Sequence, residues 1–131
     1  MLNIVISALS VFLLTGTAFA QSLLPMKADI VTFAERGNIS ITLQNPYERA
    51  KRFTLEAYDM DWQPLPDIQM VRRQVSMAPG GSIGLYFFVP QREAEEARML
   101  FICATSNPTF GAGTGMRGRV CGKYRVVYRS L

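Results

Sequence analysis

The C-terminal segment, residues 115–131, alternates between two kinds of side chain. Most of its odd positions are basic, and the odd set is Arg117, Arg119, Cys121, Lys123, Arg125, Val127 and Arg129. Its even positions are apolar or glycine, namely Met116, Gly118, Val120, Gly122, Tyr124, Val126 and Tyr128. A period of two places these sets on opposite faces of an extended strand, with the apolar face on a core. The segment therefore predicts a long strand near a sheet edge, where a charged face either prevents pairing or serves a chosen partner.

Shorter segments with strand-like sequence precede this strand. They cover residues 30–33, 39–44, 53–58, 70–77, 83–89 and 99–105, and turn-forming residues separate most of them. Residues 59–67 and 107–115 are predicted to be loops, and residues 91–98 favour one short helical turn. Seven short strands without a long helical pattern predict an all-β fold. The expected architecture is a seven-stranded immunoglobulin-like sandwich with one short helical turn.

The first 20 residues are predicted to be a secretory signal peptide. Residues 4–14 form an apolar run, and residues 18–20 (Ala-Phe-Ala) match an Ala-x-Ala cleavage pattern. A membrane span would need about 20 consecutive apolar residues, so this run is too short to span the bilayer. We therefore expect residues 1–20 to be removed. Residues 21–131 are then one exported domain without stable membrane insertion.

The chain carries a formal net charge of +4, and its sequence pI is about 9.4. In a cytoplasmic protein this charge would suggest nucleic acid as a partner, but an exported domain rarely meets nucleic acid. We therefore predict a solvated basic surface and no nucleic-acid binding. Anionic envelope lipids and an acidic protein partner are the alternatives that the charge leaves open.

The sequence contains two cysteines, Cys103 and Cys121, and no histidine. An even number of cysteines in an exported chain favours a disulfide over a reactive thiol. The last two strands would then form a hairpin whose cysteines face each other, so that the bond fixes the strand register. The lack of histidine excludes a Cys-His nucleophile and a Cys/His zinc site.

Other features of the sequence are explained without a catalytic or metal site. Asp59 and Asp61 lie in a loop that contains prolines, and they are interpreted as a solvated turn. Residues 111–115 are rich in glycine, but they lack the Lys-Ser/Thr ending of a phosphate loop and open a strand. Trp62 either caps the core or is exposed for a partner. We therefore predict no enzymatic activity, no metal and no cofactor.

Three segments follow one another in an order that is typical of one protein family. Residues 75–82 (Val-Ser-Met-Ala-Pro-Gly-Gly-Ser) form a turn before a strand, and residues 90–96 lead into the strand of Cys103. Residues 125–129 (Arg-Val-Val-Tyr-Arg) close the chain's last strand. In this order the segments resemble the Leu-x-Pro-Gly, Pro-x-Asp-Arg-Glu and Lys-x-x-Tyr-Arg sequences of periplasmic pilus-assembly chaperones of the PapD type. The likeness covers residues 30–131, which correspond to the N-terminal immunoglobulin-like domain of that family.

This resemblance implies a chaperone-like domain that engages a pilin or another exported polypeptide by edge-strand pairing, with an usher as a further partner. The apolar row of the last strand would contact the polypeptide through Met116, Val120 and Tyr124. Gly118 and Gly122 carry no side chain for this contact and are expected to leave two pockets of the polypeptide unfilled.

The resemblance also implies a site for the carboxylate that ends the partner's chain. Arg125 stands where the family has an anchoring Lys and can pair with a carboxylate, and Arg129 continues the basic row. The first-strand position where the family has Arg falls at Asp29-Ile30. The alternative function is a structural immunoglobulin-like domain of a surface or envelope assembly without chaperone activity. In that case the basic row only keeps an edge strand soluble.

Overall fold

The computed structural model describes residues 21–107 and 118–131, which form nine β-strands in two facing sheets. In chain order the strands are β1 (Ser22–Leu24), β2 (Lys27–Thr32), β3 (Arg36–Gln44), β4 (Lys51–Tyr58), β5 (Gln69–Met70), β6 (Gln74–Met77), β7 (Ser82–Pro90), β8 (Ala97–Ser106) and β9 (Arg119–Tyr128). Sheet A has the order β1-β3-β7-β5, and sheet B has the order β2-β9-β8-β4-β6. Paired strands are antiparallel except β2 and β9, which are parallel. The predicted all-β sandwich is confirmed.

The core lies between the sheets and is filled by alternate residues of each strand. In β3, for example, Ile39, Ile41 and Leu43 are buried while the residues between them are more exposed. The largest fully buried side chains come from both sheets and include Tyr124, Phe53, Phe87, Leu23, Leu55, Leu100 and Ile102. Burying one Leu, Ile, Val or Phe side chain stabilises a fold by about 1.5–3 kcal/mol, so these facing rows are the main source of stability.

The structure adds two strands to the seven that the sequence predicts. The sequence pattern misses β1, because three residues before a proline are too few to show an alternation. The strand predicted at residues 70–77 is in fact two strands in different sheets: β5 pairs with β7, and β6 pairs with β4. The chain crosses between the sheets at residues 71–73. Such a change of partner depends on distant strands and leaves no local pattern.

Residues 92–95 form a single hydrogen-bonded turn, so the short helical turn predicted at residues 91–98 is wrong. The amide of Glu95 donates to the carbonyl oxygen of Arg92 at 2.9 Å, and β8 begins at Ala97. A short helical segment is unstable in water unless one face packs on a core, and residues 92–96 are all exposed. No helix occurs among the described residues, and hence none that is long and apolar enough to cross a membrane.

Asp67 connects the loop before β5 to the turn before β8. Its carboxylate oxygens lie 3.1 Å from Nε and Nη2 of Arg92, and 2.8 and 3.2 Å from Nη1 and Nη2 of Arg98. Arg98 is buried and also donates to the carbonyl oxygen of Pro90 at 2.8 Å. Partial burial by itself raises the pKa of Asp67. The hydrogen bonds from Arg98 and Arg92 outweigh this effect and bring the pKa below its ordinary value of 3.8.

Asp67→Asn is expected to lower the free energy of unfolding by about 2 kcal/mol at neutral pH, because one hydrogen bond to a charged group contributes roughly 1.5–3 kcal/mol. Since folding lowers the pKa of Asp67, its contribution is complete above the unfolded value and is lost as the pH falls through the folded value. Urea unfolding should therefore show wild type and variant differing at neutral pH and converging in acid, as the pH falls below the ordinary Asp pKa value of 3.8. Asp61 is exposed, so Asp61→Asn serves as the control. It should leave the free energy of unfolding unchanged at neutral pH and in acid. A difference between wild type and Asp67→Asn that persists in acid would contradict this expectation.

Candidate partner-binding edge

β9 lies second from the edge of sheet B, between β8 and β2. β8 pairs with residues 119–127, whereas β2 pairs only with residues 123–128. Among the residues that the structure describes, residues 119–122 therefore have a strand neighbour on one side only. We call residues 119–122 the open edge. The strand lies near the sheet edge, as the sequence predicts, but only its first part forms the edge itself.

The backbone groups of the open edge point away from β8. Lys123 donates its amide hydrogen to the carbonyl oxygen of Met26 at 2.8 Å, so the odd-numbered residues of β9 face the side of β2. By the alternation of an antiparallel pair, Arg119 and Cys121 direct their N–H and C=O groups to that same side. β2 begins opposite Lys123, so no described strand pairs with these groups. The result is a short row of donors and acceptors that an added strand can satisfy.

A disulfide between Cys103 and Cys121 links the open edge to β8, which confirms the predicted bond. The two cysteines are directly opposite in the β8–β9 ladder, with Cα atoms 4.1 Å apart, as in a non-hydrogen-bonded pair. Cys103 is fully buried and Cys121 is half-buried. A shift of one residue would turn the two side chains to opposite faces, so the bond fixes the register of this hairpin.

The apolar row of β9 faces the core, and this changes the interpretation of Tyr124. Its side chain is 0% exposed, and its hydroxyl donates to the carbonyl oxygen of Pro25 at 2.6 Å. Burial raises the pKa of Tyr124 to about 12, so the hydroxyl remains a donor at neutral pH. A direct contact of Tyr124 with a partner is therefore not available in this fold. Val120 is half-buried at the open edge and remains a candidate, whereas Met116 lies outside the described residues.

Gly118 and Gly122 leave no unfilled places in this row, because other side chains of the domain occupy them. A Cβ atom on Gly122 would lie against the Tyr124 hydroxyl and 2.6 and 2.8 Å from the ring atoms Cζ and Cε2. A Cβ atom on Gly118 would lie 2.5 Å from Oε1 of Gln21 and 2.8 Å from the hydroxyl of Tyr47. The Tyr47 hydroxyl donates to that same Gln21 oxygen at 2.7 Å. Both glycines thus make room for the domain's own core, and that they leave two pockets of a partner unfilled stays a prediction.

Arg125 and Arg129 lie toward the other end of β9, away from the open edge. Both are exposed, and both line an open cleft of about 620 Å³ together with Glu96 and Tyr128. The register of the parallel pair places Asp29 of β2 opposite Arg125. An acidic side chain therefore stands across from the residue that the sequence suggests as a carboxylate anchor. The structure brings the two arginines together at one cleft and separates them from Val120.

The outer face of sheet B carries an aromatic cluster that the sequence does not predict. Trp62 stacks on Phe101 with ring centroids 4.3 Å apart and an angle of 1° between the planes. The guanidinium carbon of Arg119 lies 4.9 Å from the ring centroid of Tyr58 and 5.6 Å from that of Trp62. Trp62 is 48% exposed, so of the two interpretations the surface position is correct. Alternation places Phe101 on the same face as Cys103, but its contact with Trp62 depends on a loop.

No protein-family model matches the sequence, and no curated protein sequence gives a significant match. Among solved structures, the E. coli chaperone DraB is similar over 86% of this chain and 57% of its own, with a TM-score of 0.71 and 13% sequence identity. A chain in the complex of the Salmonella enterica SafA pilin with the SafB chaperone is similar over 86% of this chain and 56% of its own. Its TM-score is 0.69 at 9% identity. The chain thus spans a little over half the length of these structures.

A PapD-like domain of human CEP192 is also similar, over 98% of this chain and 99% of that domain, with a TM-score of 0.64 and 8% identity. At such low identities the likeness concerns the fold, and the activity has to be argued from the site. Strand order, sandwich architecture and structural similarity agree with the resemblance seen in the sequence. The domain therefore has the immunoglobulin-like fold of the PapD-like fimbrial chaperones.

Proposed function

We propose that this protein is an exported, periplasmic, chaperone-like domain that binds a polypeptide by strand addition at the open edge. The observation that carries the proposal is the register of β2, which begins opposite Lys123 and leaves the outward backbone groups of Arg119 and Cys121 without a described strand partner. An open strand edge binds an extended peptide through main-chain hydrogen bonds, and alternate side chains supply the specificity. The neighbouring structure of SafB with the SafA pilin suggests a pilin as the partner class. An usher would be a second partner.

The open edge is short and carries the charged Arg119, but it is held ready for pairing. Exposed edges are normally short, charged or covered, because they otherwise pair with other chains. Here β2 covers β9 only over residues 123–128, and the disulfide at Cys121 holds the uncovered residues 119–122 in register. Binding to such a preorganised edge orders little of the domain itself, which favours affinity. An apolar side chain of the added strand would lie beside the half-buried Val120.

Arg125 and Arg129 supply a second contact in this proposal. Guanidinium groups bind carboxylates through paired, charge-assisted hydrogen bonds. Both arginines line the cleft toward the end of β9, where the last residues of a bound chain can reach them. Asp29 lies opposite Arg125 and reduces the positive charge there. We therefore expect the cleft to contribute less to binding than the open edge does.

Arg119→Pro tests the open edge, because it removes an outward N–H group without removing a hydrogen bond to β8. Arg119→Lys is the matched control, since it keeps both the N–H group and the charge. Wild type and Arg119→Lys are expected to co-purify with the same periplasmic polypeptide and to show slowed amide exchange at positions 119 and 121. Arg119→Pro should lose the polypeptide while its free energy of unfolding changes by less than about 1 kcal/mol. A complex that survives Arg119→Pro, or that leaves these amides unprotected, would refute strand addition.

A structural role without chaperone activity is the second candidate. It is favoured by the similarity to a PapD-like domain of human CEP192 over nearly the full length of both. In this role the basic row of β9 only keeps an exposed strand soluble. A protein that retains no polypeptide during purification, as wild type or as Arg119→Lys, would favour this role over the first.

A further inference from the structure

A row of cations covers the outer face of β9 beside the open edge. Arg119, Lys123 and Arg125 are exposed at outward-facing positions of this strand. Lys27 of β2 is the register partner of Lys123, so two lysines stand side by side at the point where β2 begins. Like charges directly opposite each other destabilise a sheet. Repulsion between the two lysines therefore lowers the stability of the free domain. An anionic group that binds between them removes this repulsion.

The row forms no salt bridge among the residues that the structure describes. Within residues 21–107 and 118–131, the ion pairs are those of Asp67 with two arginines that are not part of this row. Asp29 of β2 is opposite Arg125 and reduces the positive charge there, and the Arg119 guanidinium lies over the rings of Tyr58 and Trp62. Carboxylates of a partner can therefore pair with Lys123 and Arg119 without displacing a described salt bridge.

We propose that the polypeptide bound at the open edge carries acidic side chains on the face that it shares with the outer face of sheet B. This inference rests on strand addition as the function. An added strand alternates in step with β9, so that every second side chain lies about 5 Å, between Cβ atoms, from an outward residue such as Arg119. The intervening side chains lie beside Val120 and are apolar. Where the added strand meets the beginning of β2, Lys27 and Lys123 form a site for one further carboxylate.

An anionic lipid surface is the competing occupant of a basic face, and the open edge argues against it. Arg119 and Cys121 present N–H donors and C=O acceptors together on the side of β2, at positions that precede its first residue. A lipid phosphate supplies acceptors only, whereas an extended polypeptide supplies both donors and acceptors with the spacing of a strand. An open edge beside a cationic outer row therefore favours binding of an acidic, amphipathic strand over binding of a lipid.

Three synthetic peptides test this inference on the purified full chain. They share apolar residues at alternate positions and carry Glu, Ser or Lys at the positions between them. Trp62 is the chain's one tryptophan, and the Arg119 guanidinium lies 5.6 Å from its ring centroid, so its fluorescence reports binding. The Glu peptide should bind about tenfold more tightly than the Ser peptide, with a preference that shrinks as salt is added, and the Lys peptide should bind most weakly.

Charge reversal in the protein completes the test. Arg119→Glu combined with Lys123→Glu should invert the preference, so that the Lys peptide binds more tightly than the Glu peptide. Arg72→Glu combined with Arg73→Glu makes the same change of net charge in the exposed segment between β5 and β6 and should leave the preference unchanged. Equal binding of all three peptides would overturn the acidic preference and leave strand addition intact. Absence of binding by any peptide would count against strand addition itself. Binding to phosphatidylglycerol vesicles without peptide binding would overturn the inference in favour of a membrane surface.

Discussion

Gly122→Val is expected to lower the free energy of unfolding by about 3 kcal/mol or more, because added atoms in a filled core cost typically 1–3 kcal/mol and a β-branched side chain leaves few rotamers to escape. A Cβ atom at this position meets the hydroxyl and the ring of Tyr124. That ring is fully buried, and its hydroxyl is held by the carbonyl oxygen of Pro25. The ring therefore has no space into which it can move without losing a hydrogen bond and core contacts.

Gly84→Val is the matched control for this substitution. Gly84 also lies within a strand, β7, but a Cβ atom there meets nothing within 4 Å. Because valine favours a strand more than glycine does, the control should be neutral or more stable by up to about 1 kcal/mol. Urea unfolding followed by far-ultraviolet circular dichroism measures both variants. Tyr124→Leu provides a background in which Gly122→Val should cost less than half as much, and an equal cost in both backgrounds would contradict the steric explanation.

The same contact lies next to the point where the open edge ends. Pro25 lies between β1, which belongs to sheet A, and β2, which belongs to sheet B. The hydrogen bond from Tyr124 holds the chain at this crossing, and β2 then starts at Lys27 opposite Lys123. Because Gly122 has no side chain, the Tyr124 ring can reach this point. A residue that looks like a gap in the apolar row therefore helps to set the length of the edge available for binding.

The alternation in residues 115–131 was enough to predict β9 and its two faces. The strand and its faces depend on side-chain period, which is visible in the sequence, whereas the opposition of Cys103 and Cys121 follows from the even number of cysteines in an exported chain. Which strand pairs with β9, and over which residues, is not visible in this period. That β2 runs parallel to β9 and begins opposite Lys123 follows from the crossing at Pro25, which depends on contacts between residues far apart in the chain. The location of the open edge could not be read from the period.

The burial of Tyr124 and Arg98 could not be predicted from the sequence either. Tyr124 belongs to the apolar row, and the sequence cannot tell whether that row faces a partner or the domain's own second sheet. Arg98 follows a run of charged residues and is nonetheless buried, because Asp67 and the carbonyl oxygen of Pro90 satisfy its guanidinium. A buried charge of this kind is recognisable only when its partners are known.

Replacing both cysteines, as Cys103→Ala with Cys121→Ala, is expected to lower the free energy of unfolding by about 3 kcal/mol, the chain-entropy value for a loop of this length. The bond joins positions separated by 18 residues in the sequence, and its loss frees the unfolded chain more than the folded one. Urea unfolding should show a lower midpoint and an equal or steeper slope, since the unfolded chain is less compact without the cross-link and exposes at least as much surface. Wild type with a reductant keeps both sulfur atoms and should lose nearly the same amount, which separates the cross-link from side-chain contacts.

The disulfide should matter more for partner binding than for the fold. Without it β8 and β9 still pair through the ladder from Ala97↔Val127 to Thr105↔Arg119, so the sandwich is expected to form. The end of this ladder is the open edge. Without the disulfide, this strand end frays before the rest of the sheet. A partner strand must then order the edge as it binds, which weakens its affinity. The double alanine variant should therefore bind the Glu peptide more weakly than wild type even at temperatures where both are fully folded. Equal affinities under those conditions would show that the ladder alone holds the edge in its binding conformation.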